Sequence, residues 1–288
     1  MNARACRSNQ PAAIPGPGER FPVAEQDCPV LRNDPVNARY WRLELEAGPT
    51  FAAARPGQFF HLLCPQSGQD RPFLRRPMSV YAASPGERRI GFLYKVTGPG
   101  TRSLAALKPG DTLNAVGPLG HGFGFDPGWR RVLVLARGVG MATLAPLVPL
   151  AGASGVAVSA VLSARTPGDL MRAEFTQGSD IEVHAVVDSD GSSAPERVQP
   201  VLRELIERQR PDRLYTCGST RLLRLAQRLC HEYSIPGEAA LEQQMGCAFG
   251  VCLCCVREFE IDGRHEHRRV CCEGPVFDLQ QVVADSPW

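Results

Sequence analysis

The first part of the chain alternates apolar and polar residues in short runs. The clearest run is Tyr40–Glu46, and its period of two is typical of a strand with one buried face. Further runs, separated by Pro, Gly and polar residues, predict strands at Gly57–Leu63, Met78–Tyr81 and Ile90–Val96. Short strands at this spacing predict an antiparallel β-barrel over residues 30–127.

The pattern changes after Trp129, where continuous apolar runs begin to alternate with helical periodicity. The apolar runs predict strands that are buried on both faces, and the segments between them predict helices. We predict strands at Arg131–Ala136, Val156–Leu162, Ile181–Val187 and Arg213–Gly218, and helices at Met141–Leu150, Val198–Arg208 and Thr220–Tyr233. Strands that alternate with helices predict a parallel α/β sheet over residues 128–236.

The two ends of the chain differ from these domains. Residues 1–29 are rich in Pro, Gly and polar residues and lack an apolar h-region, so we predict a disordered extension and no secretory signal. No stretch reaches the roughly 18 apolar residues of a membrane span, and a net charge of +2 does not indicate nucleic acid as a partner.

Residues 237–288 hold six of the eleven cysteines, between Cys247 and Cys272. This clustering indicates a metal module in a reducing cytoplasm rather than a disulfide framework.

These cysteines have the spacing of an iron–sulfur loop. Cys247, Cys252 and Cys255 form a C-x4-C-x2-C element, and Cys271 follows after a gap. The spacing matches that of plant-type [2Fe–2S] ferredoxins, in which four thiolates bind two irons. Small residues, which let backbone N–H groups approach the sulfur atoms, stand at Gly246, Ala248 and Gly250.

Other interpretations of the cysteines stay open on spacing alone. A structural zinc site usually shows paired C-x2-C or C-x2-H elements, and no second such pair follows here. Buried thiols without a metal are the other alternative. Cys254 lies beside Cys255, and Cys272 lies beside Cys271, so either neighbour could be a ligand. The C-x4-C-x2-C register favours Cys255 over Cys254.

A short motif in the barrel indicates a flavin site. Arg76-Pro77-Met78-Ser79 lies at the start of a predicted strand. An arginine here can pair with a flavin pyrophosphate, and the serine can form a hydrogen bond with the flavin. Taken alone, the motif is also compatible with a surface arginine that precedes a strand.

Five sequence blocks, in the same order along the chain, resemble one protein family. They are Leu74–Val80, Tyr94–Thr101, Gly117–Phe123, Glu242–Cys247 with its cysteine loop, and Val270–Asp278. Through these blocks, residues 30–283 resemble the electron-transfer subunit of the two-subunit, NAD-linked dihydroorotate dehydrogenases, within the ferredoxin–NADP reductase superfamily. The last block is similar to the family's V-C-x-D-G-P-V-F, which implies that Cys271 is the fourth cluster ligand.

The resemblance implies a multidomain protein: an antiparallel β-barrel for FAD, an α/β parallel-sheet domain for NAD(P) and a small C-terminal [2Fe–2S] module. It implies that FAD contacts Arg76, Pro77, Met78, Ser79, Leu93, Tyr94, Lys95, Gly100 and Thr101. It also implies a hetero-oligomer with an FMN-containing dehydrogenase, whose electrons pass singly through the cluster to FAD and then as a hydride to NAD+. This relay needs no acid–base residue, so we predict no catalytic side chain.

The predicted nucleotide turn departs from the family pattern. The family has a run such as G-G-G-I-G, whereas this chain has Ala136-Arg137-Gly138-Val139-Gly140. Gly138 and Gly140 remain candidate NAD(P) contacts, because glycines let a pyrophosphate approach a helix start. Arg137 has three interpretations: contact with a phosphate, obstruction of the nicotinamide, or exposure to solvent. Cys217-Gly218 resembles the family's C-G element near the nicotinamide.

Two other functions remain open on the sequence. A stand-alone reductase would take a hydride from NAD(P)H and pass single electrons to an oxygenase or a ferredoxin. A subunit of another flavoenzyme complex could have lost nicotinamide binding, and Arg137 keeps this interpretation open. Gly274–Phe277 and Met245–Cys247 favour the dihydroorotate dehydrogenase type.

Overall fold

The first domain is an antiparallel sheet. A computed structural model of the protein describes residues 22–285. The elements of this domain are β1 (Ala24–Pro35), β2 (Tyr40–Glu46), α1 (Pro49–Ala52), β3 (Phe59–Leu62), β4 (Arg76–Ser79), β5 (Ala82–Ser84), β6 (Arg89–Lys95), α2 (Pro99–Ala105) and β7 (Thr112–Leu119). Its seven strands pair in the order β4-β3-β7-β1-β2-β6-β5 as a half-barrel, which confirms the predicted antiparallel architecture.

The alternation along β2 places its apolar side chains in the core of this half-barrel. Leu43 and Leu45 are fully buried and pack in the same cluster as Phe60. Asn33 is also buried, and its side-chain amide donates a hydrogen bond to the carbonyl of Leu104 at 2.8 Å. This bond satisfies a buried polar group and holds α2 against β1.

The second domain is built on parallel strands. Its elements are β8 (Arg131–Arg137), α3 (Gly140–Leu144), α4 (Leu147–Ala153), β9 (Ala157–Ala164), α5 (Arg172–Thr176), β10 (Glu182–Val187), α6 (Pro195–Arg208), β11 (Arg213–Cys217), α7 (Thr220–Glu232) and β12 (Gly237–Ala240). The strands run parallel in the order β10-β9-β8-β11-β12, and the apolar centre of β8 is fully buried, as its continuous run predicts. Within residues 22–285, no helix is long and apolar enough to cross a membrane.

The predicted helix at Met141–Leu150 is two helices in the structure. The first, α3, ends at Leu144, and α4 begins at Leu147. Pro146 lies at the junction, where it has no N–H to continue the helical hydrogen bonding. The other predicted strands and helices of this domain are confirmed, with ends that differ by a few residues.

The C-terminal part returns to the second domain. Its elements are β13 (Val256–Ile261), β14 (Arg264–Arg269), α8 (Val270–Glu273) and β15 (Val276–Asp278). The strands β13 and β14 form a hairpin, and β15 pairs antiparallel with β12. The predicted boundary at 236/237 therefore divides one sheet. At the other end, β1 begins at Ala24 inside the predicted extension, and residues 1–21 lie outside the described residues.

Polar contacts hold the first two domains against each other. The Tyr81 hydroxyl lies 2.8 Å from both the backbone carbonyl and the carboxylate of Glu174. The side-chain amide of Asn37 donates to the carbonyl of Gly168 at 3.1 Å. With the domains fixed in this way, the start of α3 faces β4 and β6 across a cleft.

Candidate functional site

The cleft between the first two domains contains a cavity of about 510 Å³. Its walls include most of the predicted FAD contacts, namely Arg76, Pro77, Met78, Ser79, Leu93, Tyr94, Lys95 and Thr101. Val139, Ala142 and Thr143 close the cavity from the second domain. Segments that are distant in sequence therefore meet in one space between a barrel and a nucleotide-type sheet.

Gly100 lets the Arg76 side chain pack directly against the backbone at the edge of this cavity. A Cβ at position 100 would lie 2.8 Å from Nε of Arg76, so any side chain there would displace the guanidinium. The Thr101 hydroxyl accepts hydrogen bonds from the backbone N–H groups of Thr97 and Gly98, at 2.8 and 3.1 Å, which fixes the turn. A cationic fork beside a bare glycine backbone suits a pyrophosphate, so these residues fit FAD.

Leu93 and Tyr94, two of the three predicted contacts on β6, face opposite sides of the strand. Leu93 packs with residues of the second domain, including Ala142. Tyr94 is buried in the barrel core, where its hydroxyl donates to Oδ1 of Asn33 at 3.0 Å and burial raises its pKa. Because successive side chains of a strand point to opposite faces, Leu93 lies toward the cleft while Tyr94 lies in the barrel core. The hydrogen bond of the Tyr94 hydroxyl to Asn33 anchors β6.

The first half of the cysteine loop wraps around Cys247. Its sulfur accepts hydrogen bonds from the backbone N–H groups of Phe249, Val251 and Cys252, at 3.3, 3.4 and 3.4 Å. The backbone N–H of Cys254 and the thiol of Cys247 lower the pKa of Cys252 to about 6. Hydrogen bonds of this kind stabilise thiolate sulfur, the form that binds iron.

The second half of the loop brings Cys255 and Cys271 together. Both are buried, and the N–H of Cys271 donates to the sulfur of Cys255 at 3.4 Å. Among the four predicted ligands, Cys252 interacts with Cys247 and Cys271 interacts with Cys255, while Cys252 also interacts with the thiol of Cys254. Two pairs of thiolates are what two irons need. Across residues 22–285, no three His, Cys, Asp or Glu side chains surround a point suited to one metal ion.

The two additional cysteines lie at the margins of these pairs. Cys254 is exposed, and its sulfur lies 3.9 Å from the carbonyl oxygen of Cys252. The sulfur of Cys272 lies 3.9 Å from that of Cys271. Gly250 has a φ of +77°, and a Cβ there would lie 2.6 Å from the Cys272 sulfur. The loop therefore requires glycine at this position.

A second cavity, of about 840 Å³, connects the flavin cleft with the cysteine loop. Residues 73–77 form one wall, and residues 242–246 with Cys254 form another. Arg76, Pro77 and Met245 also line the first cavity. Arg76 and Pro77, two of the predicted FAD contacts, therefore lie across the second cavity from the cysteine loop.

Glu242 borders both cavities, although it was not predicted as a site residue. Glu242 is exposed to solvent, and the protein atoms around it raise the pKa of its carboxylate. It also lines the space beside Cys217 and Gly218. Its position just before the cysteine loop gave no indication that it would reach the cleft, because the loop's path depends on the pairing of β12.

The predicted nucleotide turn packs tightly against the end of β11. A Cβ at Gly140 would lie 2.5 Å from the carbonyl oxygen of Cys217. Gly218 has a φ of +105°, and a Cβ there would lie 2.1 Å from the carbonyl oxygen of Arg137. Gly138 has a left-handed φ of +54°. These glycines bring the two segments into backbone contact and place Cys217-Gly218 beside the turn.

Arg137 points away from solvent. Its guanidinium donates to Oγ of Ser163 at 2.7 Å and to the two carboxylate oxygens of Asp188 at 3.2 and 2.6 Å. Only 16% of its side chain is exposed, so the solvent-exposed interpretation is wrong. The Arg137 fork also holds the pKa of Asp188 well below its usual range. Asp188 was not found from the sequence, because it lies 51 residues away on another strand end.

Curated relatives match nearly the whole chain. The electron transfer subunit of dihydroorotate dehydrogenase B (NAD(+)) from Desulforamulus reducens is 32% identical over 260 residues, which cover 89% of this chain and 97% of the relative. The chain belongs to this family. The subunit of the same name from Bacillus caldolyticus is 32% identical over 269 residues, with 92% of this chain and 98% of the relative covered.

Two further comparisons agree with this family. Residues 242–283 match the model for the iron–sulfur cluster binding domain of dihydroorotate dehydrogenase B. A solved structure of an NADH-dependent reduced ferredoxin–NADP oxidoreductase superimposes with a TM-score of 0.74 and 27% identity over 90% of each chain. The ferredoxin reductase of carbazole 1,9a-dioxygenase, at 20% identity and a TM-score of 0.56 over 75% of this chain and 65% of that one, shares the fold alone. The predicted family, fold class and oxidoreductase electron-transfer role are confirmed, and the predicted cofactors, FAD, a [2Fe–2S] cluster and a nicotinamide nucleotide, agree with family and fold.

Proposed function

We propose that this chain carries electrons from an FMN-containing dihydroorotate dehydrogenase subunit, through a [2Fe–2S] cluster and FAD, to NAD+. The observation that carries the proposal is the shared space between residues 73–77 and the cysteine loop. When bound, the cluster carries single electrons, nicotinamide accepts a hydride, and FAD converts between the two. The chain's own residues hold these groups in order.

We assign each predicted site residue to the binding site of one cofactor. The three binding sites lie in three consecutive parts of the chain. FAD belongs to the barrel of residues 30–127, with Arg76 and Gly100 at its phosphates. The nucleotide belongs to residues 128–236, at Gly138 and Gly140. The cluster belongs to residues 237–288. Its proposed ligands are Cys247, Cys252, Cys255 and Cys271.

The nucleotide site is compatible with NAD(P) despite its arginine. Asp188 and Ser163 bind the Arg137 guanidinium, which draws the side chain toward the ends of β9 and β10. This ion pair favours a nucleotide turn that still binds NAD(P) over one that has lost nucleotide binding. The crowding of cysteines in residues 237–288 supports a reducing, cytoplasmic location.

Exposed apolar side chains around the cysteine loop support a partner subunit at this face. Phe73 is 93% exposed and Val251 is 81% exposed, and Leu74, Phe249 and Leu253 are exposed as well. Contiguous apolar side chains in water are typical of protein–protein interfaces. Docking here would bring the partner's flavin next to the cluster, so we propose that this face binds the catalytic subunit in a hetero-oligomer.

Substitution of Val251 by Glu tests this face. A charge in a docked apolar interface is desolvated without a partner, so we expect recovery of the catalytic subunit in co-purification to fall by at least about tenfold. Val251 contributes to the loop through its backbone N–H, which the substitution keeps, so flavin and iron content should not change. Leu31→Glu, on β1 and 39% exposed, is the matched control.

The outcome separates the proposals. Loss of the partner with retained cofactors and an unaffected Leu31→Glu control supports docking at the cysteine loop. If Val251→Glu recovers as much of the partner as Leu31→Glu and the unaltered protein do, the interface lies elsewhere. Co-purification of an enzyme that does not oxidise dihydroorotate would overturn the proposed substrate.

A further inference from the structure

Arg269 places a positive charge on the cysteine loop. It is the last residue of β14, and it pairs with Val256, the residue after Cys255. Its Nη1 donates to the carbonyl oxygen of Gly250 at 3.4 Å. The guanidinium therefore bridges the hairpin and the part of the loop that lies between Cys247 and Cys252.

Glu273 fixes the direction of this arginine. One carboxylate oxygen of Glu273 accepts from Nε of Arg269 at 2.9 Å and from the backbone N–H of Arg269 at 2.8 Å. Two bonds to a single oxygen hold the side chain across the start of α8, the short helix that carries Cys271 and Cys272. An arginine held at both its backbone and its side chain has little freedom to leave the loop.

The charge also acts on the cysteine sulfur atoms. A Cβ at Gly250 would lie 2.6 Å from the Cys272 sulfur and 3.2 Å from Nη1 of Arg269, so the thiol and the guanidinium lie over the same stretch of backbone. The guanidinium is thus near enough to stabilise negative charge on this side of the loop. Neither the flavin site nor the proposed ligand set makes use of it.

We propose that Arg269, positioned by Glu273, sets the reduction potential of the cluster bound by this loop. The inference rests on the cluster assignment made under the proposed function. One-electron reduction adds a negative charge to the cluster, and a nearby fixed cation stabilises the product more than the reactant. Net charge and polar contacts around the sulfur atoms are the terms by which proteins adjust such potentials. Arg269 therefore adjusts the potential through its charge and is not a ligand of the cluster, and Glu273 is the residue that positions it.

The test is a redox titration of the full-length protein, with cluster reduction followed by electron paramagnetic resonance. We expect Arg269→Gln to lower the ratio of reduced to oxidised cluster at a fixed potential by several-fold, where tenfold corresponds to 59 mV for a one-electron couple. The double variant Arg269→Gln, Glu273→Gln should shift less than the single variant but in the same direction, because no unpaired carboxylate remains. If the single variant does not retain its cluster, the reduction potential is measured on the double variant instead.

Arg264→Gln is the matched control, because Arg264 is at the far end of the same strand. Its potential should equal that of the unaltered protein. Normal cluster signals with the same potential in both Arg269 variants and in the control would overturn the role of Arg269 alone. An unaltered protein without any cluster signal would instead overturn the cluster assignment, and this inference with it.

Discussion

Replacement of Cys252 by serine is expected to abolish the cluster signal in electron paramagnetic resonance and to leave FAD bound. Cys252 pairs with Cys247 in the loop, and its thiol has a lowered pKa that favours the iron-binding thiolate. A serine hydroxyl is far more basic and does not supply this ligand at neutral pH. Cys252 does not line the flavin cavity, so the flavin absorption should remain.

Cys254→Ser is the matched control for this prediction. Cys254 is two residues away, is equally exposed and lies within the same loop. We expect it to retain its iron content and its signal, because the structure pairs Cys255 rather than Cys254 with Cys271. A normal signal from Cys252→Ser, or loss of the signal from Cys254→Ser alone, would show that the ligand set is assigned in the wrong register.

Replacement of Arg76 by alanine is expected to weaken FAD binding by roughly 10- to 100-fold. The estimate takes about 1.5–3 kcal/mol for hydrogen bonds to a charged group, at 1.4 kcal/mol for each factor of ten. Arg76 lies at the cavity edge against Gly100, where a phosphate can reach the guanidinium. Titration of apoprotein with FAD, followed by flavin fluorescence, measures the change in affinity.

Arg75→Ala controls for the loss of an arginine at this place in the sequence. The Arg75 guanidinium is bound to Glu25 on β1 at 2.8 Å and to Asn114 on β7 at 2.6 Å, and Arg75 does not line the flavin cavity. Its removal should lower the stability of the barrel with little effect on FAD affinity. If both variants lose FAD equally, the effect comes from the fold, and Arg76 has no specific contact with the flavin.

The fold was predictable where its determinants are local. The alternation along β2 and the apolar run of β8 gave strands with correct positions, because each pattern reflects burial of the strand itself. The pairing of β15 with β12 depends on segments far apart in the chain, and no local pattern indicates it. For this reason a module boundary at 236/237 was predicted within a continuous sheet.

The candidate site, like the fold, was predictable only where its determinants are local in the sequence. The C-x4-C-x2-C element and the Arg76–Ser79 motif are local in the sequence, so they could be predicted as binding elements once the resemblance to a family supported them. The partner of Arg137 could not be identified, because Asp188 meets it only when β8, β9 and β10 align. The contact of Arg269 with Gly250 likewise depends on the folding of the hairpin back onto the loop.

Anaerobic titration of the purified chain with NADH tests the central claim most directly, with visible absorption and electron paramagnetic resonance recorded on the same samples. The proposed relay predicts red-brown protein in which NADH bleaches the flavin and then produces the signal of a reduced [2Fe–2S] cluster. A colourless, zinc-loaded preparation would contradict the cluster assignment. Protein that retains FAD but stays oxidised with both NADH and NADPH would contradict the nucleotide end of the relay.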